Sequence, residues 1–190
     1  MAQRIDIQDG GTLYYDETFF DRAHADLLFE RIRAETPWQQ ERGRTGLFPR
    51  LTAWYADPGL TYTYSGLTHH ALPWTATLSD IRRRVETIAE LPFNSLLLNL
   101  YRDGRDSIGY HTDAEPELGS NPVIASISLG GVRQFLLKSI KTGTKISYQL
   151  AHGSLLIMGG TSQHHWLHGV PKTKSVVPMR INLTFRNLFF

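Results

Sequence analysis

The apolar positions of this chain follow two periods, and the two are segregated along its length. In the first half, Phe20, Ala23, Leu27, Leu28 and Ile32 recur at helical spacing. They predict a helix over 17–34, capped by Asp16 or Thr18 and stopped by Pro37. Leu78, Ile81, Val85 and Ile88 form a second stripe and predict a helix over 74–90, with Pro73 at its first position and Pro92 closing it. Between them, 50–55 and 62–65 have the β-branched and aromatic content of strands, separated by a turn at Asp57-Pro58-Gly59. The stretch 41–46 reads as a loop or hairpin tip.

Beyond Pro92 the period shortens to two. Strands are expected at 95–101, 108–111, 124–129, 133–138, 145–150, 154–158, 164–168 and 179–187, with Gly, Asp and Pro in the turns. Helices first and short strands afterwards imply an α+β fold. The expected architecture is a double-stranded β-helix, or jelly roll, buttressed on one face by the N-terminal helices. A length of 190 residues suits one domain, 1–190, in which 1–92 gives helical support and 93–190 the β-core.

Composition narrows the chemistry. The chain has no cysteine, which excludes disulfides, zinc thiolate sites, iron–sulfur clusters and thiol nucleophiles together. A metal would have to be held by His, Asp or Glu. No apolar run is long enough to span a bilayer, and the N-terminus lacks the apolar core of a secretion signal. The expectation is therefore a monomer without membrane attachment, in the cytoplasm, or in the nucleus of a eukaryote. The formal charge is +2. Basic residues cluster at Arg42, Arg44 and Arg50, at Arg82 to Arg84, at Arg102 and Arg105, and at Lys138, Lys141 and Lys145. Each cluster taken singly reads as a solvated loop or helix face.

His111-Thr112-Asp113 places two ligand types at i and i+2, on one face of an extended backbone. A third ligand would complete the set of two His and one carboxylate that leaves adjacent positions open on iron(II). His152, His164, His165 and His168 are the candidates, and chemistry alone does not separate His164 from His168. The C-terminal run Arg180-Ile-Asn-Leu-Thr-Phe-Arg186 alternates strictly. Arg180, Asn182, Thr184 and Arg186 share one face and Ile181, Leu183 and Phe185 the other. The two arginines lie roughly 20 Å apart along a strand, so long side chains folding toward each other suit the two ends of a short dicarboxylate. Asn99 and Tyr101 form a further i, i+2 polar pair between Leu98 and Leu100.

Together, Asn99-Leu-Tyr101, His111-Thr-Asp113, His168 and Arg180-x-Asn-x-Thr-Phe-Arg186 resemble the AlkB family of iron(II)/2-oxoglutarate dioxygenases, over about residues 49–189. Pro49-Arg-Leu-Thr-Ala-Trp-Tyr55 and Phe93-Asn-Ser-Leu-Leu look like its nucleic-acid repair branch. The resemblance implies His111, Asp113 and His168 as iron ligands. It implies Asn99, Tyr101, Arg180, Asn182, Thr184 and Arg186 as the 2-oxoglutarate site, with Arg180 and Tyr101 at the distal carboxylate and Asn99 and Arg186 near the ketoacid end. It further implies consumption of dioxygen and oxidative removal of a methyl group from a base nitrogen (1-methyladenine or 3-methylcytosine type) as formaldehyde. The base leaves its stack to reach the metal. Residues 1–92 would contribute nucleotide recognition through Tyr62 and Tyr64, with Tyr64 stacking on one side of the base and His111 on the other. Arg50 would contact the backbone or close the pocket, and Glu115 would face the base.

Two departures from the family pattern bear on substrate. Position 114 is Ala where repair members commonly carry an Asp that reads the base edge. The stretch Glu41-Arg-Gly-Arg44 stands where duplex-acting members insert an apolar wedge, and arginines favour phosphate. Single-stranded nucleic acid is the expected partner. The alternatives are a 2-oxoglutarate-dependent hydroxylase or demethylase of a protein or small molecule, and a non-enzymatic nucleic-acid-binding β-barrel.

Overall fold

The computed structural model describes residues 2–43, 46–64 and 67–189, with the side chains of 62–70 left undescribed. The strands, in chain order, are β1 (Gln3–Asp6), β2 (Gly11–Asp16), β3 (Arg42–Gly43), β4 (Gly46–Leu47), β5 (Leu51–Ala56), β6 (Thr61–Tyr64), β7 (Leu67–His70), β8 (Ser95–Tyr101), β9 (Ile108–His111), β10 (Ile124–Gly130), β11 (Arg133–Ser139), β12 (Lys145–Leu150), β13 (Ser154–Gly160), β14 (Trp166–Val170) and β15 (Arg180–Arg186). The helices are α1 (Arg22–Glu35), α2 (Ala76–Ala89) and the single turn α3 (Ser162–His165).

Two sheets face each other. The larger has the order β1-β2-β13-β10-β15-β8-β5 and the smaller β12-β11-β14-β9. All their pairings are antiparallel. This is the double-stranded β-helix expected from the alternating pattern. The strands before residue 93 are part of the same framework, because β1, β2 and β5 lie in the large sheet. β1 and β2 were not anticipated, since short polar runs such as Gln3-Arg-Ile-Asp6 carry little period-two contrast.

The outer face of the large sheet packs on the helices. Leu96, Leu98 and Leu100 of β8, Ile181, Leu183 and Phe185 of β15, and Ala125, Ile127 and Leu129 of β10 share one core with Leu28 and Ile32 of α1 and Leu78, Ile81 and Val85 of α2. Between the sheets lies a second core of Leu13, Tyr101, Ile124, Phe135, Leu137, Leu156 and Trp166. Burying a leucine or isoleucine side chain contributes about 1.5–3 kcal/mol, so the first cluster is the main support of the strands that carry the polar row described below.

Several boundaries correct the sequence expectation. Helix α1 begins at Arg22, because Asp21, and neither Asp16 nor Thr18, accepts the His24 amide at 2.9 Å. Its inward face is Ala25, Leu28 and Ile32, which leaves Ala23 and Leu27 exposed, Leu27 at 57%. Helix α2 is capped by Thr75, which accepts the Leu78 amide, so Pro73 precedes the helix and does not open it. Ile88 lies outside the apolar stripe and is exposed. The strand expected at 164–168 is the turn α3 followed by β14. The 41–46 stretch is a β3–β4 hairpin, with Arg44 outside the described residues. Several of the clustered basic residues are neutralised within the chain. Arg82 pairs with Asp57 and Glu86, Arg102 with Asp106, and Arg105 with Asp103.

Candidate metal centre

His111 ends β9 and His168 sits directly opposite it on β14, the two being register partners. Their imidazole rings lie 4.3 Å apart, centre to centre. A β-bulge follows His168, and Gly169 occupies it. A Cβ at Gly169 would come within 2.9 Å of the Ile108 carbonyl and 3.0 Å of the Gly109 carbonyl. Glycine therefore permits the close approach of β14 to β9 that places both imidazoles in one spot. Asp113 follows two residues beyond His111, where the chain has left the strand. One ligand atom from each of His111, Asp113 and His168 falls within 4.8 Å of the others.

The state of each group suits a cation. His111 Nδ1 donates to the Gly109 carbonyl at 2.9 Å, which leaves Nε2 with its lone pair for a metal. His168 is held far below the usual imidazole range, at about 3, by burial and then by the neighbouring His111, so it is neutral near pH 7. Burial would raise the Asp113 carboxyl. The Arg186 guanidinium and the two imidazoles outweigh it and hold it ionised, down to about 2. Arg186 Nη2 donates to Asp113 Oδ1 at 2.8 Å. Oδ2 is buried with no hydrogen-bond partner among the described residues and stands 3.7 Å from His168 Nε2. A buried carboxylate oxygen so placed costs free energy unless a cation completes it. Two imidazole nitrogens and one carboxylate, with no sulfur, are the donor set of mononuclear iron(II) sites, and the residues fit that ion.

The polar row of β15 supplies the rest. Its partners in register are Tyr101, Asn99 and Leu97 on β8 and Gly130, Ser128 and Ser126 on β10. All of Arg180, Asn182, Thr184 and Arg186 are buried. Arg180 is 1% exposed, donates from Nη2 to Ser128 Oγ at 2.9 Å, and lies 5.2 Å from the Tyr101 ring centre. Its Nε and Nη1 have no hydrogen-bond partner among the described residues. Burial presses this guanidinium below its ordinary range. An anion is the partner that such a site lacks.

A cavity of about 520 Å³ joins the two sets. Asn99, Tyr101, Asn182, Thr184, Arg186, the three candidate ligands, Glu115 and Arg50 all line it, whereas Arg180 lies behind Tyr101. Asn182 also makes contacts within the sheet. Its Nδ2 donates to Ser126 Oγ and the Ile127 carbonyl, and its Oδ1 accepts from Thr184 Oγ1, so its amide ties β15 to β10. Arg50 is buried rather than at the surface, and its Nε donates to Asn99 Oδ1 at 2.7 Å, which leaves Asn99 its Nδ2 as a donor. Arg50 is among the residues that line the cavity. Glu115 Oε2 is buried without a partner among the described residues, and Ala114 beside it is exposed. Tyr62 and Tyr64 lie on β6, but their side chains fall outside the described residues.

Two of the other candidate histidines have partners elsewhere. His152 accepts the Gly130 amide at Nδ1 and meets Asp26 at Nε2. His164 contacts the Ser120 carbonyl. The residues that sequence reasoning missed are Ser126 and Ser128, although the alternation of β10 signals them, and Gln163. The buried Gln163 accepts the Asp113 amide at 2.9 Å, and nothing local in the sequence signals that bond.

Comparison with known proteins agrees with this geometry. Residues 12–186 match the model of the 2OG-Fe(II) oxygenase superfamily. The chain is 39% identical over 184 residues to the DNA oxidative demethylase ALKBH2 of Bos taurus, covering 89% of this chain and 66% of the relative. It is 42% identical over 185 residues to the alpha-ketoglutarate-dependent dioxygenase alkB homolog 3 of Rattus norvegicus, covering 90% and 62%. To ALKBH2 of Homo sapiens it is 39% identical, covering 89% and 70%. The chain thus spans slightly less than two thirds of the first two relatives. A solved structure, that of OsALKBH1, superposes with a TM-score of 0.67 over 97% of this chain and 100% of that one, at 17% identity, which speaks to the fold.

Proposed function

This chain belongs to the AlkB family within the 2OG-Fe(II) oxygenase superfamily, and from that membership we propose that it oxidatively demethylates N-alkylated bases in nucleic acid. The observation that carries the reading is one cavity lined both by a His-Asp-His cluster, whose Asp113 Oδ2 has no hydrogen-bond partner among the described residues, and by Asn99, Tyr101 and Thr184 of β8 and β15, with buried Arg180 against Tyr101. His111, Asp113 and His168 would hold iron(II), and Tyr101, Asn99, Thr184 and Arg180 would hold 2-oxoglutarate. When bound, iron with 2-oxoglutarate and dioxygen supplies the oxidation, which yields succinate, carbon dioxide and a hydroxylated N-methyl group that collapses to formaldehyde and free base.

The chain's own part is binding, orientation and exclusion of water. Arg186 orients the Asp113 carboxylate, so that Oδ1 is taken and Oδ2 faces the imidazoles. Gly109 sets the tautomer of His111. Phe135, Ile124, Met158 and Val170 give the cavity its apolar wall. Glu115 offers a carboxylate to the exocyclic nitrogen of a base, with Tyr62 and Tyr64 as the expected stacking surface. Residues 1–190 act as one catalytic domain in this reading.

The names of the relatives, a DNA oxidative demethylase and an alkB homolog 3 dioxygenase, support nucleic acid as the partner. We propose a preference for single strands, on the basic composition of 41–44, and action as a monomer in the cytoplasm or nucleus. No helix among the described residues is long and apolar enough to cross a membrane. The test is incubation with iron(II), ascorbate, 2-oxoglutarate and oligonucleotides carrying 1-methyladenine or 3-methylcytosine, single-stranded and duplex, with succinate and formaldehyde measured against His111→Ala. Matched succinate and formaldehyde on the single strand is the expected result. Faster turnover of the duplex would remove the strand preference and point to Leu47, an exposed apolar side chain on the β3–β4 hairpin, as a wedge.

A second reading rests on Ala114. With no carboxylate at that position the base edge has one acceptor fewer, and a protein or small-molecule substrate fits that loss. Succinate release independent of any methylated base would favour it.

A further inference from the structure

The segment that runs from the end of β9 to β10 carries Asp113 and Glu115, and two consecutive side chains of α3 hold it. Gln163 Oε1 accepts the Asp113 backbone amide at 2.9 Å, and both residues are buried, at 1% and 4% exposure. His164 Nε2 meets the Ser120 carbonyl. The remaining contacts of Gln163 are weak ones from Nε2, to Met158 Sδ at 3.8 Å and Ser162 Oγ at 3.5 Å. The bond to the Asp113 amide is therefore the principal polar contact of this side chain.

The position of α3 gives the bond its meaning. The turn leads directly into β14, which carries His168. Gln163 thus links the chain segment of one candidate ligand to that of another, 50 residues apart in sequence. Asp113 lies outside any strand, so no ladder fixes its backbone. Its carboxylate is steered by Arg186 and its backbone by Gln163. Without an acceptor, a buried amide must turn to find a new partner or stay unsatisfied, and either result displaces a carboxylate that has to meet two imidazoles.

We infer that Gln163 is a positioning residue for the metal site: it holds the Asp113 backbone so that Oδ2 faces His111 and His168, while His164 anchors the far end of the same loop. This inference rests on the His111, Asp113 and His168 reading of the centre. It assigns no contact between Gln163 and metal or substrate.

The test measures metal binding without turnover, by anaerobic titration of the metal-free protein with Mn(II) followed by electron paramagnetic resonance. Loss of a residue that orients a metal ligand weakens affinity by about 10–100-fold. Gln163→Met, which keeps length and removes the acceptor, is expected to fall in that range and to speed hydrogen exchange at the Asp113 amide. Gln163→Glu keeps the acceptor oxygen and is expected to bind Mn(II) much more tightly than Gln163→Met. His164→Ala, which frees only the distal end of the loop, is expected to bind Mn(II) like wild type. The inference is overturned if Gln163→Met binds as tightly as wild type, if Gln163→Glu loses as much as Gln163→Met, or if His164→Ala weakens binding equally. Should Gln163→Met fail to fold, Gln163→Leu, which also lacks the acceptor, takes its place with the same expected and overturning results. Failure of wild type itself to bind Mn(II) would instead overturn the metal-centre reading.

Discussion

Arg186 and Asp113 are joined at 2.8 Å across 73 residues of sequence, both of them buried, and among the described residues Asp113 Oδ1 is held by the arginine while Oδ2 has no hydrogen-bond partner. The arginine ends β15, so one strand both lines the cavity and reaches the carboxylate of the His-Asp-His cluster.

Replacing Arg186 by Met leaves the Asp113 carboxylate buried with both oxygens unpaired. Breaking a buried pair from one side costs about 3–5 kcal/mol. Arg186→Met is expected to unfold at lower denaturant concentration and to bind Mn(II) more weakly than wild type. Unchanged metal affinity in a folded Arg186→Met protein would contradict the steering role.

Arg180 donates to Ser128 and lies against Tyr101, and among the described residues its Nε and Nη1 have no hydrogen-bond partner. Arg180→Met should cost about 2–5 kcal/mol of 2-oxoglutarate binding, which is the loss typical of one partner of a buried charge pair. The measurement is equilibrium binding of 2-oxoglutarate beside a 2-oxo acid of the same length with an uncharged tail. The dicarboxylate is expected to lose far more than the monocarboxylate. Equal losses would place Arg180 in a purely structural role.

Gly169 has no room for a side chain against the Ile108 and Gly109 carbonyls. Gly169→Ala forces β14 away from β9 and is expected to destabilise the fold by about 1–3 kcal/mol. It should also weaken Mn(II) binding, because it separates the two imidazoles. Thermal melting with and without Mn(II) distinguishes the effects, since a variant with reduced metal affinity loses the metal-induced rise in Tm.

Asp106 accepts from the Arg102 backbone amide and from its Nε and Nη2, and so closes the turn between β8 and β9. Burial would raise this carboxyl, but the Arg102 hydrogen bonds outweigh it and its value is lowered. A carboxyl depressed on folding stabilises the native state above its unfolded value, about 3.9, and loses that contribution as pH falls toward the folded value. Asp106→Asn should therefore be less stable than wild type at pH 7, and the gap should narrow below about pH 4. Urea unfolding at several pH values reads this directly, and a constant gap would show that Asp106 does not titrate as described.

The parts of the centre legible in sequence are those whose geometry is local. His111 and Asp113 stand two apart, and Arg180 to Arg186 alternate with apolar neighbours, so period two alone groups them. The third member of the cluster was not local: residue type left His164 and His168 open, and the family resemblance implied His168, which pairs in register with His111 across β14–β9, whereas His164 falls on α3 and reaches Ser120. The face of α1 was misjudged because Leu27 is apolar yet exposed, and only the neighbouring sheet decides which stripe of a helix is covered. Gln163 was likewise invisible, and the Arg50 bond to Asn99 was too, since a lone Gln or Arg carries no period.

The sequence by itself determined the two-sheet scaffold, the chemistry of the donors and the polar row, because backbone period and residue type are properties of neighbours along the chain. Only the tertiary structure brought His168 into register with His111, bonded the Asn182 amide to β10, turned Arg50 to Asn99 and placed Gln163 on the Asp113 backbone. Each of those is a contact between residues far apart in sequence, and it exists only once the strands are in register and their side chains are buried together.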